Sequence, residues 1–269
     1  MCLHAVGGSH THWNEVAPEL ATHGRTLAVD LVGFGQTPAS ASGAGLDGNQ
    51  AMISRLLQEN GRAILVGSSF GGAVALLQAA REPGSVAGLI LSGSLLPAID
   101  SAGRSVRASL IRRRLRQRIE SANRAVRAIA DGSLRLRRDS ILAHAIRSNA
   151  ADPSSIDAAV IAASVAAAGR RGIGPTMRVV AQAGGSSFSL WTHPERFARV
   201  LDRVTCPVLV IHGAHDRTIP IGHAVAAARA HPDWRLHVFD HVGHLPHMED
   251  PKGWISVVDE WLRTLGATT

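Results

Sequence analysis

The chain has 269 residues, 45% of them hydrophobic, which is enough to bury a full core, and its two cysteines, Cys2 and Cys206, lie in apolar strand contexts, which excludes a disulfide-stapled scaffold. A net charge of +7 would suit an anionic partner, yet no stretch approaches the roughly 20 apolar residues of a membrane span and no basic-then-apolar leader opens the chain. These properties lead us to expect one soluble, cytoplasmic α/β domain with an insertion.

In chain order, strands are predicted over 1–5, 26–30, 63–67, 86–92, 207–212 and 234–239. Helices are predicted over 12–22, 50–60, 70–81, 222–230 and 254–265. Alternation of this kind indicates a mostly parallel sheet with helices on both faces. Between residues 96 and 204 the alternation stops and helical patterns take over, including an alanine-rich run over 156–168 behind a Ser154-x-x-Asp157 capping box. The expected division is a core of 1–95 and 205–269 and a helical insertion of 96–204.

The third strand carries the sharpest signal. Residues Ala63-Ile64-Leu65-Val66-Gly67-Ser68-Ser69-Phe70-Gly71-Gly72 run from an apolar strand through Gly-x-Ser-x-Gly straight into an apolar helix. So abrupt a turn strains its apex, and a Cβ two residues before or after it would clash, so Ser69 stands raised as a candidate nucleophile. A serine hydroxyl is weakly nucleophilic and needs a base, which in turn needs an orienting acid. Both candidates follow later strands: Asp216 in Gly213-Ala214-His215-Asp216-Arg217-Thr218-Ile219-Pro220 and His244 in Gly243-His244-Leu245-Pro246-His247-Met248-Glu249-Asp250-Pro251. Asp240 and Asp100 are the rival acids. Asp240 lies only four residues before His244, and Asp100 stands at the entrance of the helical insertion.

The order Ser69, Asp216, His244, each behind a strand, resembles the α/β-hydrolase superfamily. The segment Leu3-His4-Ala5-Val6-Gly7-Gly8-Ser9 with Trp13 is similar to that family's His-Gly loop, with Ala5 where the family usually has glycine. The resemblance implies an oxyanion hole made by the backbone amides of Val6 and Phe70. It also makes Asp30, in Asp30-Leu31-Val32-Gly33-Phe34-Gly35, a structural residue that bonds loop amides, and makes the 96–204 insertion a lid. Under that lid Phe188 and Trp191 are expected to line an acyl pocket, with His10 and His12 at its mouth. The family's sheet begins with two strands and most of a third before the His-Gly loop, whereas three residues precede His4 here. A truncated start is therefore expected, with 26–30 as an uncovered edge and marginal stability as the result.

Serine at the apex argues against the family's dehalogenases and epoxide hydrolases, which use aspartate there. The resemblance implies a carboxylesterase acting on a small-molecule ester with an apolar acyl part, by an acyl-enzyme route that needs no cofactor and no metal. A carbon-carbon bond hydrolase, a lactonase or an acyltransferase could use the same triad, and a noncatalytic ligand-binding remnant could share the fold. Fourteen histidines include the spacings His241-x-x-His244-x-x-His247, His10-x-His12 and His212-x-x-His215. They lack the carboxylate or cysteine that a metallohydrolase site adds at fixed spacing. Thirteen arginines between Arg104 and Arg147 accompany apolar residues at helical spacing, from Val106 and Leu110 to Val126 and Ile129. That pattern reads as an amphipathic helix with a solvated face, and without interleaved aromatics it does not suggest a nucleic-acid groove.

Overall fold

A computed structural model describes residues 1–40, 43–97, 138–168 and 173–266. Its strands are β1 (Cys2–Leu3), β2 (Ala28–Val29), β3 (Ala63–Ser68), β4 (Val86–Ser92), β5 (Val208–Gly213) and β6 (Arg235–Phe239). They form one parallel sheet in the order β2-β1-β3-β4-β5-β6. β3, β4 and β5 read as nearly unbroken apolar runs because both faces of a parallel sheet are covered, and every residue of β5 is buried. β1 is shorter than the 1–5 expected. It pairs Cys2 with Ala28 on one side and with Val66 on the other. The chain then leaves the sheet at His4, whose ring takes over the bonding: Nδ1 meets the Ala5 carbonyl at 2.7 Å and Nε2 accepts the Leu31 amide at 3.0 Å. β2 is likewise trimmed from the 26–30 expected and stands at the sheet edge.

One face of the sheet is covered by α1 (Ala17–Leu20) and α9 (Pro251–Gly266). There Trp254, Val258 and Trp261, at helical i, i+4, i+7 spacing, pack with Trp13, Ile90 and Leu209. The other face carries α2 (Leu46–Asn60), α3 (Phe70–Arg81) and α8 (Gly222–Ala230), whose Ile53, Leu57, Val74, Leu76 and Ala224 join Leu65 and Leu89 in the main core. Between β4 and β5 come α4 (Arg138–Arg147), α5 (Ala158–Ala168), α6 (Ile173–Thr192) and α7 (Pro194–Leu201). The arginine-rich segment expected to be amphipathic falls mostly on residues 98–137, outside the described residues, as does Asp100. No helix among the described residues is long and apolar enough to cross a membrane.

Three helix boundaries differ from expectation for identifiable reasons. Over 12–22 the chain forms a 3₁₀ turn, His10–Trp13, and restarts as the short α1. Pro18 lacks the amide a continuous helix would use, and its ring blocks the turn before it. α2 begins four residues before the expected 50, across Gly48. Asn49 makes this possible by donating to the Ala44 and Gly45 carbonyls while accepting from the Val32 amide. α5 starts at Ala158 with Asp157 accepting from the Ala159 amide at 2.6 Å. The expected capping box does not form, because Ser154 bonds Asp152 instead.

Candidate active site

β3 passes into α3 within a single residue. Ser69 has φ +50°, the one positive value at a side-chain-bearing residue among those described, a strain of about 1–3 kcal/mol that surrounding packing must hold. The flanking glycines permit it: a Cβ on Gly67 would lie 2.5 Å from Gly72 Cα, and one on Gly71 would run into the Leu3 carbonyl of β1. The Ser69 backbone is pinned, its amide donating to Ser92 and its carbonyl accepting from Gly72 and Leu95. Its side chain faces a cavity of about 680 Å³.

His244 lines the same cavity. Its Nδ1 lies 2.7 Å from Asp216 Oδ2, so Nδ1 donates and the Nε2 lone pair remains for a proton acceptor role. The other Asp216 oxygen accepts from the Thr218 amide at 2.7 Å and the Ile219 amide at 2.8 Å. Burial alone would raise the Asp216 carboxyl; the hydrogen bonds from His212 and His244 outweigh it and hold the group well below the usual carboxylate range. Of the rival acids, Asp240 is exposed, directly after β6 ends at Phe239. The loop around His244 is clamped by Glu249, which accepts from the Gly243, Leu245 and Ala151 amides. The His244 amide itself donates to the Asn149 carbonyl at 2.9 Å.

Opposite stands the loop after β1. Val6 and Phe70 both line the cavity, and the Phe70 amide, at the first position of α3, has no intrahelical acceptor. Ala5 is accommodated because the positive φ of this loop falls on Gly7, at +79°. His4, sealed by its two bonds, is pushed down to about 4, chiefly by burial.

Phe188 and Trp191 of α6 lie in the cavity wall with Val180, Gly184 and Ser187, while α4 contributes Ala145 and Ile146 and α5 contributes Ser164. The walls are thus mostly apolar. His10 is not among the lining residues; its Nδ1 and its amide both bond Asp30 Oδ1, at 2.9 and 2.7 Å. His12, expected beside it, does lie in the wall, buried, with neither ring nitrogen hydrogen-bonded among the described residues. The 3₁₀ turn explains why one of the two reaches the cavity, since residues 10 and 12 point to different sides of it. Asp30 also accepts the Gln36 amide at 2.8 Å, so it braces the two loops that flank β2.

The histidines singled out as possible metal ligands diverge. His241 bonds Asp250 at 3.0 Å, His244 bonds Asp216, and His247 stacks on Trp13 with ring centroids 4.4 Å apart. His212, noted in the sequence only for its metal-like spacing with His215, is buried beside Asp216, 3.2 Å from Oδ2. The signal was a lone histidine within an otherwise apolar strand.

Comparison with known proteins places this geometry in context. The chain is 29% identical to an uncharacterized protein of Mycobacterium tuberculosis across 98% of this chain and 75% of that one. It is 26% identical to the 2-hydroxy-6-oxo-6-(2'-aminophenyl)hexa-2,4-dienoic acid hydrolase of Metapseudomonas resinovorans, across 94% and 79%. Among solved structures, an esterase from Exiguobacterium antarcticum superposes with a TM-score of 0.74 at 18% identity, covering 97% of this chain and 90% of that one. An esterase from Rhodococcus sp. gives 0.71 at 24%, covering 98% and 90%. These two likenesses concern the fold. The family model described as "Alpha/beta hydrolase family" matches residues 1–257, and to that family the chain belongs.

Proposed function

We propose that this protein is a serine hydrolase that cleaves a carboxylic ester through an acyl-enzyme intermediate. Ser69 Oγ attacks the carbonyl carbon while His244 Nε2 takes the hydroxyl proton, later returning it to the departing alcohol; Asp216 holds the imidazole in the Nδ1–H tautomer and stabilises its charged form. The Val6 and Phe70 amides stabilise the oxyanion, each worth about 3 kcal/mol where such donors have been removed from other hydrolases. Water attacks the acyl-enzyme by the same route in reverse and releases the acid. Residues 96–204 serve as the lid over a core of 1–95 and 205–269, and Phe188 and Trp191 contact the acyl part.

The observation that carries this reading is the pairing of a strained Ser69 with a His244–Asp216 bond of 2.7 Å across one apolar-walled cavity. A second reading, hydrolysis of a carbon-carbon bond, is favoured by the likeness to the Metapseudomonas resinovorans hydrolase across 94% of this chain. Fluorophosphonate labelling, followed by a panel of aryl esters of graded acyl length and one vinylogous 1,5-diketone, separates the two. Ser69→Ala and His244→Ala should each lower ester hydrolysis by roughly 10³-fold or more, because the two groups act as a unit. Undiminished turnover in either variant refutes the triad, and turnover of the diketone alone replaces the ester reading by the carbon-carbon one.

A further inference from the structure

Asp216 is flanked by two histidines. His212, the fifth residue of β5, is fully buried, and its Nε2 lies 2.9 Å from the Ile219 carbonyl and 3.2 Å from Asp216 Oδ2. A nitrogen facing two oxygens must carry the proton. On the opposite side of the ring, Nδ1 meets no hydrogen-bond partner among the described residues, so an imidazolium there would bury a second, unanswered N–H. The contacts close a ring: Ile219 donates its amide to Asp216 Oδ1, Ile219 accepts His212 Nε2–H at its carbonyl, and His212 reaches Oδ2. Thus the oxygen that serves His244 at 2.7 Å also faces a second N–H.

We propose that His212 is a positioning residue for the acid: its Nε2–H, anchored on the Ile219 carbonyl, fixes the orientation of the Asp216 carboxylate and shares with His244 the negative charge on Oδ2. This rests on the triad reading given above. A packing role alone would be met by the Ile219 bond and would place no donor on the one oxygen that His244 uses. The titratable groups around this arrangement are Asp216 itself, His244 and Glu249 on the loop after β6, His247 behind His244, His12 behind His247, and His223 on α8, which feels both His212 and Asp216. All of them stay unchanged in the test.

His212→Gln and His212→Met have similar volumes, but only glutamine keeps a donor near the Nε2 position. Steady-state kinetics on a small aryl ester across pH should show His212→Met with kcat reduced about tenfold, KM within about twofold, and the acid-side inflection of kcat/KM raised by about 0.5 to 1 in pH, since Oδ2 then concentrates its charge on His244. His212→Gln should restore the wild-type inflection. Equal losses in both variants with an unmoved inflection would reduce His212 to packing. Wild-type protein gives an independent reading should the variants not fold: nitrogen NMR of the histidines must show His212 in the Nε2–H tautomer, and the Nδ1–H form overturns the proposal. Absence of Ser69-dependent labelling in the wild type would instead overturn the triad reading, and this inference with it.

Discussion

Replacing Glu249 with alanine should weaken the fold and the site together. Its Oε2 accepts from the Gly243 amide at 2.8 Å and the Ala151 amide at 2.7 Å, and its Oε1 from the Leu245 amide at 2.9 Å. With the residue only 7% exposed, water cannot simply replace the lost acceptors. Each orphaned buried amide costs about 1–3 kcal/mol; with the Gly243 and Leu245 amides buried and the Ala151 amide partly so, the lower end for each gives about 3 kcal/mol. For a chain of this size that lowers Tm by about 6–12 °C. Because Gly243 and Leu245 bracket His244, kcat should fall as well. Glu249→Gln keeps one acceptor oxygen and sets its amide against a backbone N–H, so it should lose about 1–2 kcal/mol. Calorimetry and ester kinetics on the three proteins test this ordering. A Glu249→Ala protein that melts within about 2 °C of wild type with unchanged kcat would refute the clamp.

Asp216→Asn should lower kcat by roughly 10²–10⁴-fold, because the amide no longer enforces the Nδ1–H tautomer. The same change should flatten acid unfolding: the depressed Asp216 carboxyl stabilises the fold above the ordinary carboxylate value of about 3.9 and loses that contribution as pH falls below it, which urea midpoints of both proteins from about pH 5 down to about pH 2 would show. Burial pushes His12 down to about 3, whereas an unfolded histidine takes up its proton near 6.5; stability should therefore be whole above that pH and fall by about 2 kcal/mol for this residue between pH 7 and 5. His12→Phe should narrow the difference in Tm between those two conditions, and an unaltered difference would count against a neutral buried imidazole. Gly71→Ala should abolish hydrolysis by driving the Leu3 carbonyl, and with it the Val6 loop, out of place; full activity would mean that β1 yields freely.

The sequence displayed what depends on short-range spacing. Gly67-x-Ser69-x-Gly71 states its own turn, and apolar runs at β3, β4 and β5 announce a sheet covered on both faces. What stayed hidden depends on partners far away in the chain. Nothing local says that Asn49 will start α2 early by bonding Val32, or that Asp152 will claim Ser154 and dissolve the expected cap. That His12 and not His10 of the expected pair reaches the cavity wall turned on whether one turn was 3₁₀ or α, a difference of rotation that spacing alone does not encode. His212 was legible only as an oddity in β5, because the role of a buried imidazole is set by which oxygens the fold brings to it.

The bond from the His244 amide to the Asn149 carbonyl, with Glu249 reaching the Ala151 amide beside it, would give the proposed helical cover a fixed post. The stretch 149–151 between α4 and α5 cannot lift away without dragging the histidine loop along. If these helices form the lid proposed above, an opening that admits substrate should pivot about this post and part on the side of α6, where, among the described residues, Gln182 and Ser186 bond the amides of Ala44 and Leu46. For anyone grafting a cover from a relative onto this core, the seam belongs outside 149–151: those three residues travel with the core's chemistry, although they lie in the middle of the cover's sequence.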